Sequence, residues 1–140
     1  MAVMAFTTCK FLLGSLDLST RVKALRLNIT EATAEYTMCG ASVVTRLAGG
    51  VEDWSAEVDL LQDYADGTSA GYTDEIINTV RGVAVTLHFA PTSASYGTTN
   101  PHYSGSALMT GYAPISGTFG EVVGTTVTFV GAGALTRADA

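Results

Sequence analysis

The chain has 140 residues, 47% of them apolar and 14% charged, with a net charge of −6 and a pI of about 4.6. Domains cluster at roughly 100–150 residues, so this length suits one domain with a substantial core, and a disordered tail is excluded. The acid excess argues against a binder of phosphate backbones, and no window approaches the roughly 18 continuous apolar residues of a membrane helix.

Threonine (20) and glycine (15) are abundant and proline is scarce (3), a mix that favours strands joined by glycine turns. Residues 1–16 carry an apolar knot, Phe11-Leu12-Leu13, closed by Gly14, and read as an N-terminal arm without a regular element. The first base, Lys10, follows the apolar residues, which is not the order of a signal peptide. Residues 20–30 suit a strand and residues 34–47 a second, with Gly40 as a bulge. Gly49-Gly50 reads as a hairpin turn, because both positions tolerate positive φ.

The clearest strand spans 51–62. Trp54, Ala56, Val58 and Leu60 alternate with Asp53, Ser55, Glu57 and Asp59, giving one apolar and one acidic face. Residues 63–72 form a polar connection. Thr73 then caps a short helix with Asp74 and Glu75 in its first turn, Ile76, Ile77 and Val80 on its apolar side, and Gly82 at its stop. Residues 83–90 alternate again, and after a loop residues 103–112 and 121–130 suit two more strands. The expected architecture is mainly β: an antiparallel sandwich or barrel with one short α-helix. A single domain over 17–131 lies between the arm, 1–16, and a tail, 132–140.

Charge is segregated. Residues 1–46 sum to +2, residues 47–80 to −8 with no base, and residues 81–140 to zero. Between Arg81 and Glu121 lie 39 residues without an Asp, Glu, Lys or Arg. Such a stretch fits either a buried sheet with a Thr/Ser wet face or a surface covered by other subunits.

Catalytic and metal patterns are sparse. Cys9 and Cys39 form no CxxC pair and read as small hydrophobes. His88 and His102 have no Cys, Asp or Glu at metal-ligand spacing, and ordinary polar roles suit both. Gly67-Thr68-Ser69-Ala70-Gly71 matches a nucleophile elbow, with Asp74 and His88 following in hydrolase order. That elbow needs a parallel α/β sheet with several crossover helices, and this chain has pattern for one helix. The acids of 52–75 lack the loop spacing of an EF-hand and read as a solvated face. No catalytic residue, metal site or cofactor is expected.

The order of local phrases resembles a known family. Lys10-Phe11-Leu12-Leu13-Gly14-Ser15-Leu16-Asp17-Leu18-Ser19 resembles the opening of the tail tube (major tail) proteins of long-tailed bacteriophages. Trp54-Ser55-Ala56-Glu57-Val58-Asp59-Leu60-Leu61-Gln62-Asp63-Tyr64 is similar to that family's tryptophan strand ending in Gln-Asp. The helix with Ile76, Ile77 and Val80 and the strand near Val83–Phe89 match its next elements. Ser93-Ala94-Ser95, Asn100-Pro101, Tyr103-Ser104-Gly105, Tyr112-Ala113-Pro114-Ile115-Ser116-Gly117 and Gly120-Glu121-Val122 are similar to its later phrases. The resemblance covers most of residues 6–137, and the chain departs from the pattern in the arm and the short tail.

The resemblance implies a structural virion protein, not an enzyme. It would form rings, usually of six, that stack into a hollow tail tube through which double-stranded DNA passes without specific binding. Each subunit would add strands to an inter-subunit β-barrel. The partners implied are copies of itself and other tail proteins (tape measure, tail tip and terminator). Assembly in the host cytoplasm, a place in the phage tail and no membrane span follow from the same likeness. On this reading Asp53, Glu57 and Asp59 face the lumen, where carboxylates repel phosphate, and Trp54, Val58 and Leu60 face the subunit core. Phe11, Leu12 and Leu13 are candidate inter-ring or inter-subunit contacts as an exposed apolar arm, and residues 63–72 are a further candidate contact. The rival readings are a tail terminator or capsid decoration protein, a β-sandwich carbohydrate-binding module and, behind these, a serine hydrolase acting through Ser69.

Overall fold

The computed structural model describes residues 7–40, 42–64 and 73–138. Eight strands and one α-helix follow in the order β1 (Lys10–Leu13), β2 (Leu16–Asp17), β3 (Val22–Tyr36), β4 (Thr45–Leu61), α1 (Thr73–Thr79), β5 (Val85–Ala90), β6 (His102–Tyr112), β7 (Gly124–Gly131) and β8 (Thr136–Ala138). All pairings are antiparallel, in one sheet ordered β2-β1-β5-β6-β7-β4-β3, with β8 also paired to β6. The fold is therefore mainly antiparallel β with a single short helix, and the sheet does not close into a barrel within the chain.

Register lines the apolar side chains up on one face. Phe11 pairs with Phe89, Val127 and Leu25 both pair with Val58, and Phe129 pairs with Ala56. Side chains alternate along a strand, so these pairings put Phe11, Leu13, Leu87, Phe89, Ala107, Val127, Phe129, Val58 and Leu60 on a common side. They form one buried cluster with Ile76 and Ile77 of α1 and with Leu18. The helix is pinned at its start. Thr73 Oγ1 donates to the Leu61 carbonyl at 2.9 Å, and the Asp74 amide donates to the Asp63 carbonyl at 3.0 Å.

Trp54 occupies a special place in this face. Its indole lies over Gly131 of β7 and Gly105 of β6, where a Cβ on Gly105 would stand 2.8 Å from Trp54 Cζ2. Its Nε1–H donates to the Gly133 carbonyl at 2.8 Å. The ring thereby holds the segment that leads into β8. Glycines on two neighbouring strands provide the flat floor that a large ring needs.

Four expectations are corrected. Residues 10–13 are not an arm: they form β1 against β5, and Phe11 and Leu13 are 1% and 2% exposed. Phe11 and Leu13 are thus not an exposed docking patch; of the three, only Leu12 lies on the opposite face. Gly49-Gly50 is not the hairpin turn. It lies inside β4, at a bulge where the register passes from Glu31↔Glu52 to Thr33↔Ala48. Three residues of β4 there face one of β3, and glycine tolerates that local distortion. The paired strands end at Tyr36 and begin again at Thr45, and Gly40, at φ 86°, lies between them, so the span 34–47 holds the ends of two strands and Gly40 is no bulge. Finally, residues 136–138 of the supposed tail form β8.

Candidate assembly surfaces

The face of the sheet opposite the core carries polar side chains. On β4 it presents Asp53, Ser55, Glu57 and Asp59. Asp53 and Glu57 are exposed and Asp59 is half-buried, accepting a hydrogen bond from Thr126 Oγ1 at 2.6 Å. Their neighbours in register are Thr30, Arg26 and Ala24 on β3, and Thr128 and Thr126 on β7 beside Glu57 and Asp59. Trp54, Val58 and Leu60 point the other way and are 2%, 0% and 1% exposed.

β3 and β4 extend beyond the rest of the sheet. β4 pairs with β7 only over Ser55–Leu61, whereas its pairing with β3 continues out to Tyr36↔Thr45. The reason is legible in the chain. On the core-side face the apolar series Leu25, Leu27, Ile29 and Leu60, Val58, Ala56, Trp54 gives way to Glu31 opposite Glu52. Two like charges side by side cannot enter a core, so the ribbon leaves it there. The projecting part is tied by Arg46 Nε donating to Glu35 Oε1 at 2.8 Å, a solvent-exposed pair of small energetic weight. Among the described residues, no strand lies beside the outer edge of β3. Its unpaired amides and carbonyls are a template for another strand.

A polar column stands at the other end of the same outer face. His88 on β5 and His102 on β6 share a hydrogen bond, Nδ1 to Nε2, at 2.9 Å. Tyr96 stacks on His102 with ring centroids 4.3 Å apart and 2° between planes, and Lys10 Nζ lies 4.6 Å from the Tyr96 centroid. Burial, then the neighbouring His88 and Lys10, push the His102 imidazole below its ordinary value. With both rings neutral, one donates and the other accepts; with both charged, neither accepts. Buried Asn100 organises the loop that delivers Tyr96. Its Oδ1 accepts from the Thr92 amide at 3.0 Å, and its Nδ2 donates to the Ala94 carbonyl at 2.8 Å and the Ser95 carbonyl at 3.2 Å.

A second polar knot joins α1 to the end of β6. Tyr112 Oη donates to Asp74 Oδ1 at 2.6 Å and accepts from Gln62 Nε2 at 2.9 Å. Burial and the bond to Asp74 push the Tyr112 phenol up to about 12, so it remains a donor through the physiological range. No group of three His, Cys, Asp or Glu side chains able to hold a metal occurs among the described residues. None of their helices is long and apolar enough to cross a membrane. The Gly67–Gly71 elbow with Ser69, and residues 65–72 of the connection, lie outside the described residues.

No protein-family model matches the sequence, and the comparison with curated proteins finds no match. Solved structures do match over nearly the whole chain. One is a chain of the virion of a native gene transfer agent particle, 17% identical, covering 97% of this chain and 99% of that one with a TM-score of 0.75. Another is a chain of the anti-feeding prophage cap that terminates its tube, 15% identical, covering 100% of this chain and 93% of that one with a TM-score of 0.71. This chain shares its fold with subunits of these assembled particles. A third match, from the tail of an empty gene transfer agent particle with C6 symmetry, is 16% identical, covers 94% of each chain and has a TM-score of 0.67.

The acidic face of β4 is legible in the sequence, and the His88–His102–Tyr96–Lys10 column is not. The column joins β1, β5, β6 and a loop, and no spacing along the chain announces it. The signal that did exist was Asn100-Pro101, an asparagine able to organise its own loop ahead of a proline that ends it.

Proposed function

We propose that this chain is a self-assembling tail tube subunit, forming rings, six subunits to a ring, that stack into a hollow conduit for double-stranded DNA. The observation that carries the reading is the tail-subunit fold over the whole chain, together with the unpaired β3 edge, which leaves the sheet open to continuation by a neighbour. Strands from successive subunits would close a common barrel and remove those edges. Asp53, Glu57 and Asp59 would then line the bore. Carboxylates there repel the phosphates of a passing duplex, whereas lysines or arginines would hold them through ion pairs. The chain's role is structural, with copies of itself and other tail components as partners and the virion tail as its location.

The test begins with negative-stain electron microscopy of purified protein over a range of concentration and salt. Hollow tubes of constant diameter are expected, and a monomer at every concentration refutes the reading. Next, in phage carrying Asp53→Lys, Glu57→Lys and Asp59→Lys together, tails should assemble and infectivity should fall; unchanged infectivity removes these residues from the bore. A second reading, a tube terminator, is favoured by the likeness to the tube-terminating cap. It predicts single rings that never lengthen.

A further inference from the structure

Two apolar surfaces lie near opposite ends of β6, one a groove whose lining runs from exposed Ile29 to buried Phe89 and the other an exposed loop. Near its first residues lies a groove of about 400 Å³ lined by Leu25, Leu27, Ile29, Phe89, Pro91 and Tyr103, with no charged side chain in its lining. At the other end, the loop 113–123 displays Ile115, Phe119 and Val122, which are 87%, 107% and 79% exposed.

This loop is held in place to make that display. Its first stem is fixed by two bonds to the Pro114 carbonyl, from Gln62 Nε2 at 2.8 Å and Tyr64 Oη at 2.6 Å, and by Thr125 Oγ1 donating to the Ala113 carbonyl at 2.8 Å. Its second stem is fixed by the Gln62 amide donating to the Val123 carbonyl at 3.0 Å. At the tip, the Glu121 amide donates to the Thr118 carbonyl at 3.1 Å, and Gly120 has φ 89°. That is a tight turn with Phe119 at its outer corner, the position that points a side chain away from the chain.

We infer that the 113–123 loop of one copy docks in the Leu25–Leu27–Ile29–Phe89 groove of the next, with Phe119 as the inserted side chain. The inference rests on the self-assembly reading and specifies a contact within it. One chain cannot make this contact with itself. The nine-residue separation of Tyr103 from Tyr112 along β6 places groove and loop about 30 Å apart at roughly 3.3 Å per residue. Two unlike, complementary patches at opposite ends of a subunit are what a head-to-tail contact requires, and such a contact repeats from copy to copy. Both patches are nearly free of charge, Glu121 being the single ionised group of the loop, so closure buries apolar surface without stripping water from an ion pair. The occupant is a second copy because the same chain carries both the uncharged groove and an uncharged aromatic of a size to enter it.

The experiment uses the full chain with exposed Cys39 replaced by serine. A Phe119→Cys chain is mixed with an Ile29→Cys chain and treated with a short bismaleimide. Linked dimers should form in the mixture and in neither chain alone, and the chain carrying both changes should give a ladder. Separately, Phe119→Asp should raise the protein concentration needed for assembly by about tenfold or more, from the lost burial of one aromatic side chain. Phe119 is fully exposed, so this variant should keep the wild-type circular dichroism. Wild-type tubes together with no cross-link and an unaltered Phe119→Asp threshold overturn this contact and leave the self-assembly reading standing. A wild-type chain that remains monomeric overturns both.

Discussion

Replacing Gly131 with alanine tests the packing of Trp54 directly. A Cβ at 131 would stand 2.6 Å from Trp54 Cδ1 and 2.7 Å from Cε2, so the indole must move. It has little room, because it is 2% exposed and rests on Gly105 as well. Overpacking of this kind costs about 1–3 kcal/mol. Tilting the ring also weakens its bond to the Gly133 carbonyl, worth about 1 kcal/mol. Replacing a strand glycine returns about 0.5–1 kcal/mol through backbone entropy. The net loss is about 2 kcal/mol, and at about 4 °C per kcal/mol for a chain of this size the melting temperature should fall by roughly 8 °C. Trp54 is the only tryptophan, so a thermal melt followed by its fluorescence reads both stability and ring environment. Gly133→Ala is the control: its added Cβ would meet only Ser106 Cβ, at an ordinary 3.8 Å. A Gly131→Ala melt within about 2 °C of wild type, with unshifted emission, would refute the account of Trp54 as wedged over a glycine floor.

Two further outcomes follow from other parts of the fold. Leu13→Ala should cost about 2–5 kcal/mol by opening a cavity, measured by denaturant unfolding, whereas a residue of a free arm would cost almost nothing. His102 has its folded value lowered, so its contribution to stability is complete above the ordinary histidine range and is lost as pH falls through about 6.5 toward the folded value. The melting temperature should therefore drop between about pH 7 and pH 5, and His102→Gln should reduce that drop; an identical pH profile in the variant would exclude the imidazole as its source.

What the sequence disclosed and what it withheld divide along the reach of the interactions. The alternation from Asp53 to Leu60 is local, and a period of two along seven or eight residues identifies a half-buried strand before any partner is known. The helix at 73–79 was legible for the same reason, with two acids after Thr73 and isoleucines at 76 and 77. Lys10–Leu13 is too short to show a period, and its partner β5 lies more than 70 residues away, so Phe11 and Leu13 looked like an exposed knot and became core. Gly49-Gly50 is ambiguous in sequence because two glycines serve a turn and a bulge equally well; the register distinguishes them, since the pairing of β3 with β4 runs on past the glycines to Tyr36↔Thr45. The His88–His102 pair and the groove lined by Leu25, Leu27, Ile29 and Phe89 arise from strands brought together at long range, and only Asn100-Pro101 marks the neighbourhood of the first.

The bulge at Gly49-Gly50 also governs how the ribbon can change in length. Between Glu31↔Glu52 and Thr33↔Ala48, β3 advances by two residues and β4 by four, both even numbers. Parity is kept, so each side of the tip continues the same side of the sheet. Removing one glycine would make the count odd and turn every side chain of one strand's tip over, trading the Arg46–Glu35 side for its reverse. Removing both, or adding two, would preserve the orientation while altering the twist. The ribbon therefore has a built-in arithmetic: its reach and direction can drift between related chains in steps of two, and single-residue steps near the bulge should be rejected.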